Sequence, residues 1–352
     1  MSDLKVSDLK VAIVGAGFAA RIVHLPGYEG AGQPVTAVCD LDQEVAQQIA
    51  DRFSIKHVYA DWHEMLEKER PDVVSVCLPN VLHHEVTLGA LDAGAHVLCE
   101  KPLATTVAQA REMFDRARKK GKLLMAAQLY RHDAGPRALK RVVDTGVLGE
   151  IYHAESNAMR RLGIPTWGKF TQKSASAGGA LFDIGVHALD QTIWLMGNPR
   201  ATSVSAVVSK HFGTRPDVAA ALGKTWDPAK FDVDDFGMAF IRFEGGADLI
   251  LRASWAAHIE KNHFGNLILG TEGGITTEPP ALYHMRNGIL ASERYDNIRQ
   301  RDRETAQIRA FLRAVRGEGE LPVTEDETMN VQRILNAAYR SAEEGREVIV
   351  ES

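Results

Sequence analysis

Two glycines directly after a short apolar run are the first residues whose spacing indicates chemistry. The run Val11–Val14 ends at Gly15, Gly17 follows two residues later, and a helical pattern starts at about Phe18. This order of strand, glycine turn and helix is typical of a dinucleotide site, where the first glycine permits the turn and the second lets backbone approach a pyrophosphate. Ala20 takes the third position, where the helix packs on the strand. A glycine turn in an unrelated α/β protein is the alternative.

An acidic residue, Asp40, ends the next apolar run, at about the 20-residue spacing of the ribose-binding carboxylate in such sites. A carboxylate there accepts hydrogen bonds from ribose hydroxyls and repels a 2′-phosphate. The residues from Leu41 to Gln43 include no Arg or Lys that would pair with such a phosphate. The sequence therefore predicts NAD rather than NADP as the cofactor.

Lys101 stands in the tripeptide Glu100-Lys101-Pro102, directly after the apolar run Val97–Cys99. Ligands of parallel α/β sheets bind beyond the carboxyl ends of the strands, so we expect this side chain to face the cofactor. A cationic nicotinamide nearby disfavours the ammonium form, which suits a lysine that moves protons. A Glu–Lys pair on the surface is the alternative.

A histidine and two aspartates are spaced for one helix face within the segment 178–190. If the segment is helical, Asp183 and His187 are i,i+4 neighbours, and Asp190 lies near the same face. A carboxylate beside an imidazole can orient and deprotonate a hydroxyl. A structural His–Asp pair and half of a metal site are the alternatives. The other His-rich stretch, at 83–85, falls on a predicted helix, and we expect no metal.

The composition argues against several classes of function. The chain has 352 residues, 45% of them hydrophobic and 25% charged, which is enough for two domains with their own cores. The net charge of −5 and the lack of a basic stretch with interleaved aromatics argue against nucleic acid. No apolar run is long enough to span a membrane, and the polar N-terminus lacks the apolar core of a signal peptide. The cysteines Cys39, Cys77 and Cys99 lie at or near the ends of strand-like runs, so we expect buried, reduced thiols in a cytoplasmic protein.

The elements that must position these residues change in type along the chain. Through the first third, strand-like runs alternate with helical patterns, including a helix ended by Gly94 and one capped by Thr105 or Thr106. This alternation predicts a parallel, doubly wound sheet, an α/β Rossmann domain over residues 1–130. Beyond it, strand candidates at 151–158, 201–210, 236–243, 247–256 and 263–270 predict an α+β domain over 131–352 with a large, mostly antiparallel open sheet. Helical patterns follow at 302–316 and 325–343, and the last helix is a candidate to pack back on the first domain.

Together, six motifs resemble the glucose–fructose oxidoreductase/inositol dehydrogenase (Gfo/Idh/MocA) family over essentially the whole chain. They are the glycine turn, Leu78-Pro79-Asn80 with His83, Glu100-Lys101-Pro102, Gln128-Leu129-Tyr130-Arg131, the stretch 146–151 and the GGxxxDxGxHxxD segment at 178–190. The resemblance implies a two-domain NAD-dependent dehydrogenase that oxidises a secondary hydroxyl of a sugar, glycoside, anhydrosugar or cyclitol. It also implies a homodimer or homotetramer formed through the C-terminal sheet.

The resemblance further assigns roles to residues. It implies that His187 is the general base, that Asp183 binds the reacting hydroxyl and that Lys101 assists proton transfer. Cofactor contacts are implied at Gly15, Gly17, Phe18, Ala19, Ala20, Asp40, Leu78, Pro79, Asn80, His83, Glu100, Lys101 and Gln128. Gln128 replaces the asparagine often found at its position, and Ala20 replaces the commoner glycine.

Substrate contacts are expected from the catalytic residues and from the segments that flank them. A tryptophan can stack on the apolar face of a pyranose, and an arginine can reach the hydroxyls. The candidates are Lys101, Arg131, Arg160, Trp167, Asp183 and His187. A tryptophan of the core is the alternative for Trp167.

Two other functions are known on the same fold. Some relatives hold NAD tightly, oxidise C3 of a sugar transiently, eliminate the aglycone and reduce C3 again, so they are glycosidases. Others are regulatory modules that need not keep the lysine and the histidine. Because Lys101, Asp183 and His187 are all present, the sequence favours an enzyme.

Overall fold

Two β-sheets contain the strands of the computed structural model, which describes residues 9–166, 168–221, 226–298 and 302–351. The first sheet comprises β1 Val11–Val14, β2 Ala37–Cys39, β3 His57–Tyr59, β4 Val73–Val76, β5 His96–Cys99 and β6 Leu124–Ala126. The second comprises β7 Ile151–Met159, β8 Ala201–Ser209, β9 Phe236–Phe243, β10 Asp248–Ser254, β11 His263–Gly270, β12 Gly273–Thr277, β13 Pro280–Arg286, β14 Ile289–Arg294 and β15 Val348–Ile349.

Helices cover these sheets and connect their strands. The α-helices are α1 Leu25–Ala31, α2 Gln43–Phe53, α3 Trp62–Glu69, α4 His83–Asp92, α5 Val107–Lys120, α6 Ala134–Val143, α7 Lys173–Ser176, α8 Val186–Leu195, α9 Pro216–Ala221, α10 Arg303–Val315 and α11 Glu325–Glu344. Short 3₁₀ turns lie at Asn80–Leu82, Leu129–His132, Pro228–Lys230 and Glu244–Gly246. Two π-helical turns, Ala20–His24 and Leu181–Gly185, directly precede α1 and α8. Within the described ranges, no helix is long and apolar enough to cross a membrane.

The first sheet has the strand order β3-β2-β1-β4-β5-β6, and all its neighbouring strands are parallel. The residues of β1 and β4 are buried throughout, as expected of strands covered on both faces. The winding reverses between β1 and β4, so the carboxyl ends of these two strands border the crevice in which such sheets bind ligands. The predicted doubly wound, Rossmann-type sheet is confirmed.

The helices of this sheet begin and end at the signals expected from the sequence. Thr106 caps α5, its hydroxyl accepting a hydrogen bond from the backbone N–H of Gln109, and Gly121 ends the helix in a left-handed conformation. Gly94 has φ +91° just after α4. Of the two capping threonines that the sequence allows, the structure selects Thr106.

The second sheet has the order β14-β13-β12-β11-β7-β10-β9-β8-β15. Only β7 and β10 pair in parallel, so the prediction of a large, mostly antiparallel sheet is confirmed. Strands β12 to β14 extend it beyond the strands expected from the sequence. One face packs on helices, as Ile241 and Leu251 of the sheet share a core with Leu189 of α8 and Ile334 of α11.

The chain divides into two compact units, residues 1–129 with 302–325 and residues 130–301 with 326–352. The segment that returns to the first unit carries α10, whereas the sequence suggested the last helix for this place. The reason lies in the apolar faces: Ile308 and Phe311 of α10 share a core with Leu25 and Tyr28 of α1. The last helix, α11, packs instead in the core of the second unit.

Candidate functional site

The glycine turn after β1 has the geometry that a dinucleotide requires. Gly15 has φ +97°, and a Cβ built there would lie 2.3 Å from the carbonyl oxygen of Cys77, so a side chain is excluded. Apart from residues adjacent in the chain, no described residue lies within 4 Å of a Cβ built on Gly17, which is exposed. The protein's own packing therefore does not require the second glycine, whereas close approach of a pyrophosphate does. Ala20 is wholly buried behind the turn.

Asp40 is tied to this turn by its carboxylate. Oδ2 accepts a 2.7 Å hydrogen bond from the backbone N–H of Ala16, and Oδ1 accepts one of 2.9 Å from Asp42. The side chain is half-buried, and a carboxylate oxygen has more than one acceptor position. Asp40 can thus accept ribose hydroxyls beside the glycine turn, and the residues present fit a bound dinucleotide.

His83 connects two loops at the carboxyl edge of the first sheet. Its ring is wholly buried, with Nδ1 2.9 Å from the carbonyl oxygen of Pro102 and Nε2 2.9 Å from that of Leu78. Burial lowers the pKa of His83, although the two carbonyl groups act in the opposite direction. Both ring nitrogens thus face backbone carbonyl oxygens, and His83 connects the loops after β4 and β5.

Glu100 and Lys101 follow β5, and Glu100 is fixed by a histidine that the sequence analysis did not single out. His24 Nε2 lies 2.9 Å from Glu100 Oε1, and the His24 side chain is wholly buried. Burial acts to raise the pKa of Glu100, but the hydrogen bond from His24 and the charge of Lys101 outweigh it, so the pKa lies below its ordinary value. Glu100 Oε2 accepts the backbone N–H of Lys101 at 3.2 Å. This carboxylate therefore orients the backbone that carries the lysine.

The candidate cofactor residues fall into two groups by their exposure to solvent. Exposed or half-buried candidates are Gly17, Phe18, Ala19, Asp40, Leu78, Pro79, Glu100 and Lys101. Buried ones are Gly15, Ala20, Asn80, His83 and Gln128.

In the second unit, Asp183 and His187 lie on consecutive parts of one helical segment. Asp183 belongs to the π-helical turn Leu181–Gly185, and His187 is the second residue of α8. A π-turn has more residues per turn than an α-helix, so a separation of four residues still comes close to one turn. The predicted helical segment is present, with a widened first turn of the kind that often marks functional sites.

Each of these two side chains has an aromatic neighbour. The imidazole of His187 stacks on the ring of Tyr130, with ring centroids 4.3 Å apart and planes inclined by 14°. Asp183 Oδ2 accepts a 2.8 Å hydrogen bond from the indole Nε1–H of Trp255. Arg160 Nη1 lies 4.0 Å from the same oxygen. A base with a fixed ring plane and an oriented carboxylate are the groups needed to hold and deprotonate a hydroxyl.

The start of this helical segment is anchored by two residues distant in sequence, Asp234 and Tyr339. Asp234 Oδ1 accepts hydrogen bonds from the Gly179 N–H at 2.8 Å and the Tyr339 hydroxyl at 2.7 Å, and Oδ2 accepts from the Leu181 N–H at 3.2 Å. A Cβ on Gly179 would lie 1.8 Å from the carbonyl oxygen of Asp234. Gly179 is therefore required by close backbone packing, whereas a Cβ on Gly178 would meet the side chains of Phe182 at 2.3 Å and Tyr339 at 2.6 Å.

The structure gives Arg131 a different place from the predicted substrate contact. Its side chain is 2% exposed, and its Nε and Nη2 each donate a 2.7 Å hydrogen bond to Asp190. Its Nη1 lies 2.9 Å from Glu327 Oε1. Burial acts against the charge of Arg131, but the two carboxylates hold its pKa above the ordinary value. Arg131 and Asp190 therefore brace the second unit, since their charged groups face each other rather than solvent.

Two further expectations concern Trp167 and a metal site. Trp167 lies outside the described residues. Among the residues that are described, no group of three or more His, Cys, Asp or Glu side chains is arranged to hold a metal ion.

Comparison with known families matches both parts of the chain. Residues 9–128 match the GFO_IDH_MocA model, described as an oxidoreductase family with an NAD-binding Rossmann fold. Residues 137–276 match the GFO/IDH/MocA C-terminal domain.

Comparison with individual proteins finds sugar dehydrogenases. The chain is 39% identical to D-glucoside 3-dehydrogenase of Escherichia coli (strain K12) over 99% of each chain. It is 30% identical to levoglucosan dehydrogenase of Pseudarthrobacter phenanthrenivorans, over 77% of this chain and 73% of that protein. A solved structure of levoglucosan dehydrogenase in complex with NADH superposes with a TM-score of 0.85 at 25% identity, covering 98% of this chain and 99% of the other.

Proposed function

Because the chain belongs to the GFO/IDH/MocA oxidoreductase family, we propose that it is a NAD-dependent dehydrogenase that oxidises a secondary hydroxyl of a sugar or glycoside. The observation that carries this proposal is the full-length likeness to the Escherichia coli D-glucoside 3-dehydrogenase. The same likeness supports a D-glucoside as substrate and its C3 hydroxyl as the reacting group.

NAD rather than NADP is the proposed cofactor, and Asp40 supports this choice. Its carboxylate is fixed beside the glycine turn by the Ala16 N–H, where it would accept ribose hydroxyls and repel a 2′-phosphate. The residues proposed to contact the cofactor directly are Gly15, Gly17, Phe18, Ala19, Asp40, Leu78, Pro79, Asn80, Glu100, Lys101 and Gln128. His83 and Ala20 support them from the buried side.

The proposed chemistry gives each catalytic residue one task. NAD⁺, which the glycine turn and Asp40 would hold, would supply the acceptor for the hydride that leaves the carbinol carbon. Asp183 accepts a hydrogen bond from a sugar hydroxyl beside the reacting one and so orients the ring, while an imidazole nitrogen of His187 accepts the hydrogen bond of the reacting hydroxyl and takes up its proton. The Lys101 ammonium assists this proton transfer. Arg160, close to Asp183, binds a neighbouring sugar hydroxyl, and Trp167 is kept as a candidate for stacking on the ring.

The test is oxidation of a substrate panel by the purified protein. We expect NADH to accumulate with methyl and aryl D-glucosides, and NMR of the product to show a ketone at C3. A panel of inositols, free aldoses and anhydrosugars, which includes levoglucosan, measures how narrow the specificity is. The absence of NADH formation with every member of the panel would contradict the proposal.

A redox-neutral glycosidase is the second candidate on this fold, and the same assay separates it. An aryl glucoside would release its phenol without net NADH if the oxidised sugar underwent elimination and was then reduced again. For a dehydrogenase we expect net NADH and no phenol release beyond the uncatalysed rate.

We propose that the protein forms a homodimer or homotetramer through the second sheet. Val207 of β8 and Met238 of β9 stand opposite each other in register, and both are exposed. Tyr152 of β7 and Ile349 of β15 add exposed apolar surface on the same sheet, and such surface is typical of an interface. Light scattering after size exclusion should show an oligomer that Met238→Glu weakens, whereas Leu41→Glu, an exposed leucine of the first unit, leaves its mass unchanged.

We propose a cytoplasmic location because the three cysteines are unoxidised. Cys39, Cys77 and Cys99 are buried free thiols, and burial raises the pKa of each. Cell fractionation with an antibody against the chain tests this location.

A further inference from the structure

We propose that Trp255 is a positioning residue for the reaction and acts by fixing the carboxylate of Asp183. This inference rests on the proposed catalytic role of Asp183. The indole Nε1 lies 2.8 Å from Asp183 Oδ2, and both side chains are buried. They are separated by 72 residues in the chain, so the tertiary fold alone brings them together.

The indole is held from several sides. Trp255 directly follows β10, and its backbone N–H donates a 2.8 Å hydrogen bond to the carbonyl oxygen of Asp235. Its ring centroid lies 6.3 Å from Phe170 at an interplanar angle of 50°, and 6.3 Å from Phe231 at 84°. Trp255 is wholly buried and among the largest such side chains of the described residues. Because the ring cannot turn away, the N–H stays directed at one oxygen.

The chemistry of the donor makes the two carboxylate oxygens of Asp183 different. An indole N–H can donate but never accept, so Oδ2 must present a lone pair to it in every state of the enzyme. Arg160 Nη1 lies 4.0 Å from the same oxygen. Trp255 thus fixes the plane and the orientation of the carboxylate that is offered to the substrate.

Trp255→Phe removes the donor and keeps most of the ring. Loss of a hydrogen bond to a charged group predicts a fall in kcat/KM of about 10- to 100-fold, carried mostly by kcat. Phe231→Leu is the matched control, because it reduces packing on the same indole and leaves the N–H in place; we expect its kcat/KM to stay within about 3-fold of wild type, in line with a loss of packing alone.

A double-mutant cycle with Asp183→Ala separates positioning from packing. In the Asp183→Ala background, Trp255→Phe should change single-turnover hydride transfer by less than about 2-fold, since its partner is gone. An equal loss in both backgrounds, or wild-type activity of Trp255→Phe alone, would overturn the proposal. Wild-type turnover of Asp183→Ala would instead overturn the catalytic role of Asp183 in the proposed function.

An NMR measurement tests the hydrogen bond without using activity and without altering the tryptophan. The indole N–H signal of Trp255 is assigned as the one missing from the spectrum of Trp255→Phe. If that variant does not fold, the signal is assigned from its nuclear Overhauser effects to protons of neighbouring residues. In Asp183→Ala it should move upfield, as a proton released from a carboxylate does. An unmoved signal means that the bond does not exist in solution, and the proposal fails.

Discussion

Asp40 is the side chain from which we infer NAD rather than NADP as the cofactor. Replacing Asp40 with Ser removes the charge that repels a 2′-phosphate, and Leu41→Arg supplies a cation that can pair with it. The double variant should bind NADP more tightly and NAD less tightly than the wild type, measured by calorimetry. Leu41→Arg alone keeps the carboxylate and should gain little NADP affinity. A wild type that prefers NADP would refute this view of Asp40.

Lys101 is predicted to act in proton transfer, so its loss should affect turnover more than binding. Lys101→Met should lower kcat by roughly 10²-fold or more, with a much smaller change in NAD affinity. Lys119→Met is a suitable control, because Lys119 is an exposed lysine of α5 in the same unit. Near-normal turnover of Lys101→Met would contradict a role in proton transfer and favour the alternative, in which Lys101 only forms a surface pair with Glu100.

His187 is predicted to be the general base, which ties its role to pH. An imidazolium cannot accept the hydroxyl proton, so the wild-type profile of kcat/KM should fall on its acid side. His187→Asn should lower kcat/KM and lose that acid limb, whereas His263→Asn, at an exposed position of β11, should keep it. If the acid limb survives in His187→Asn, the limb belongs to another group, and the role of His187 as general base is contradicted.

At the scale of elements, the sequence predicts those parts of the site that lie within one motif. The glycine turn and Glu100-Lys101 each follow a strand whose apolar run is visible in the sequence, and the family resemblance from these motifs is confirmed. The partners of Asp183 and Gly179 could not be found in this way. Trp255 and Asp234 come from other strands or loops, and nothing in their local sequence indicates the helical segment that they contact.

Arg131 shows the opposite case, where proximity in sequence to a motif was misleading. It belongs to the motif 128–131, which precedes the segment 178–190 and so suggested a substrate contact. The structure pairs it with Asp190 and Glu327 in the interior of the second unit. A charged residue paired with carboxylates inside the fold cannot be distinguished from an exposed one by its own sequence position.

Gly179 is required at the start of the helical segment that carries Asp183 and His187, and this gives a prediction about an element. Any Cβ there would overlap the Asp234 carbonyl oxygen, which is backbone and cannot rotate away. Gly179→Ala should lower the free energy of unfolding by about 3 kcal/mol or more, at the upper end of overpacking costs. Gly319→Ala, where a Cβ meets no close neighbour among the described residues, should change it little. Denaturant midpoints of both variants test this; equal midpoints would contradict the close packing.

For the whole molecule, the two units are built on different principles, and local sequence patterns predict more of the first unit than of the second. The first unit alternates strands and helices, so local patterns fix most of its topology. The second joins strands of distant sequence, such as β7 between β10 and β11, and its order depends on pairings that no local pattern encodes. The return of α10 to the first unit follows from the packing of Ile308 and Phe311 on α1, which a periodic helical pattern alone does not reveal.

The stability of the whole molecule should depend on pH through His132. Its side chain is buried, and burial, together with the charges of Arg137 and Arg131, lowers the pKa of His132 from 6.5 to about 4. Above pH 6.5 the ring is neutral in both the folded and the unfolded chain, so its contribution to stability is fully present. As the pH falls from 6.5 towards 4, the unfolded chain takes up a proton that the folded chain does not, and stability is lost.

Replacing His132 with Gln removes this difference in proton uptake. Between pH 6.5 and 4, the wild type should lose roughly 3 kcal/mol more unfolding free energy than His132→Gln, because each pKa unit corresponds to about 1.4 kcal/mol. Denaturant unfolding at a series of pH values measures the two slopes. His263→Gln, at an exposed position, should follow the wild type throughout. Parallel curves for wild type and His132→Gln would show that His132 is not held neutral in the folded protein.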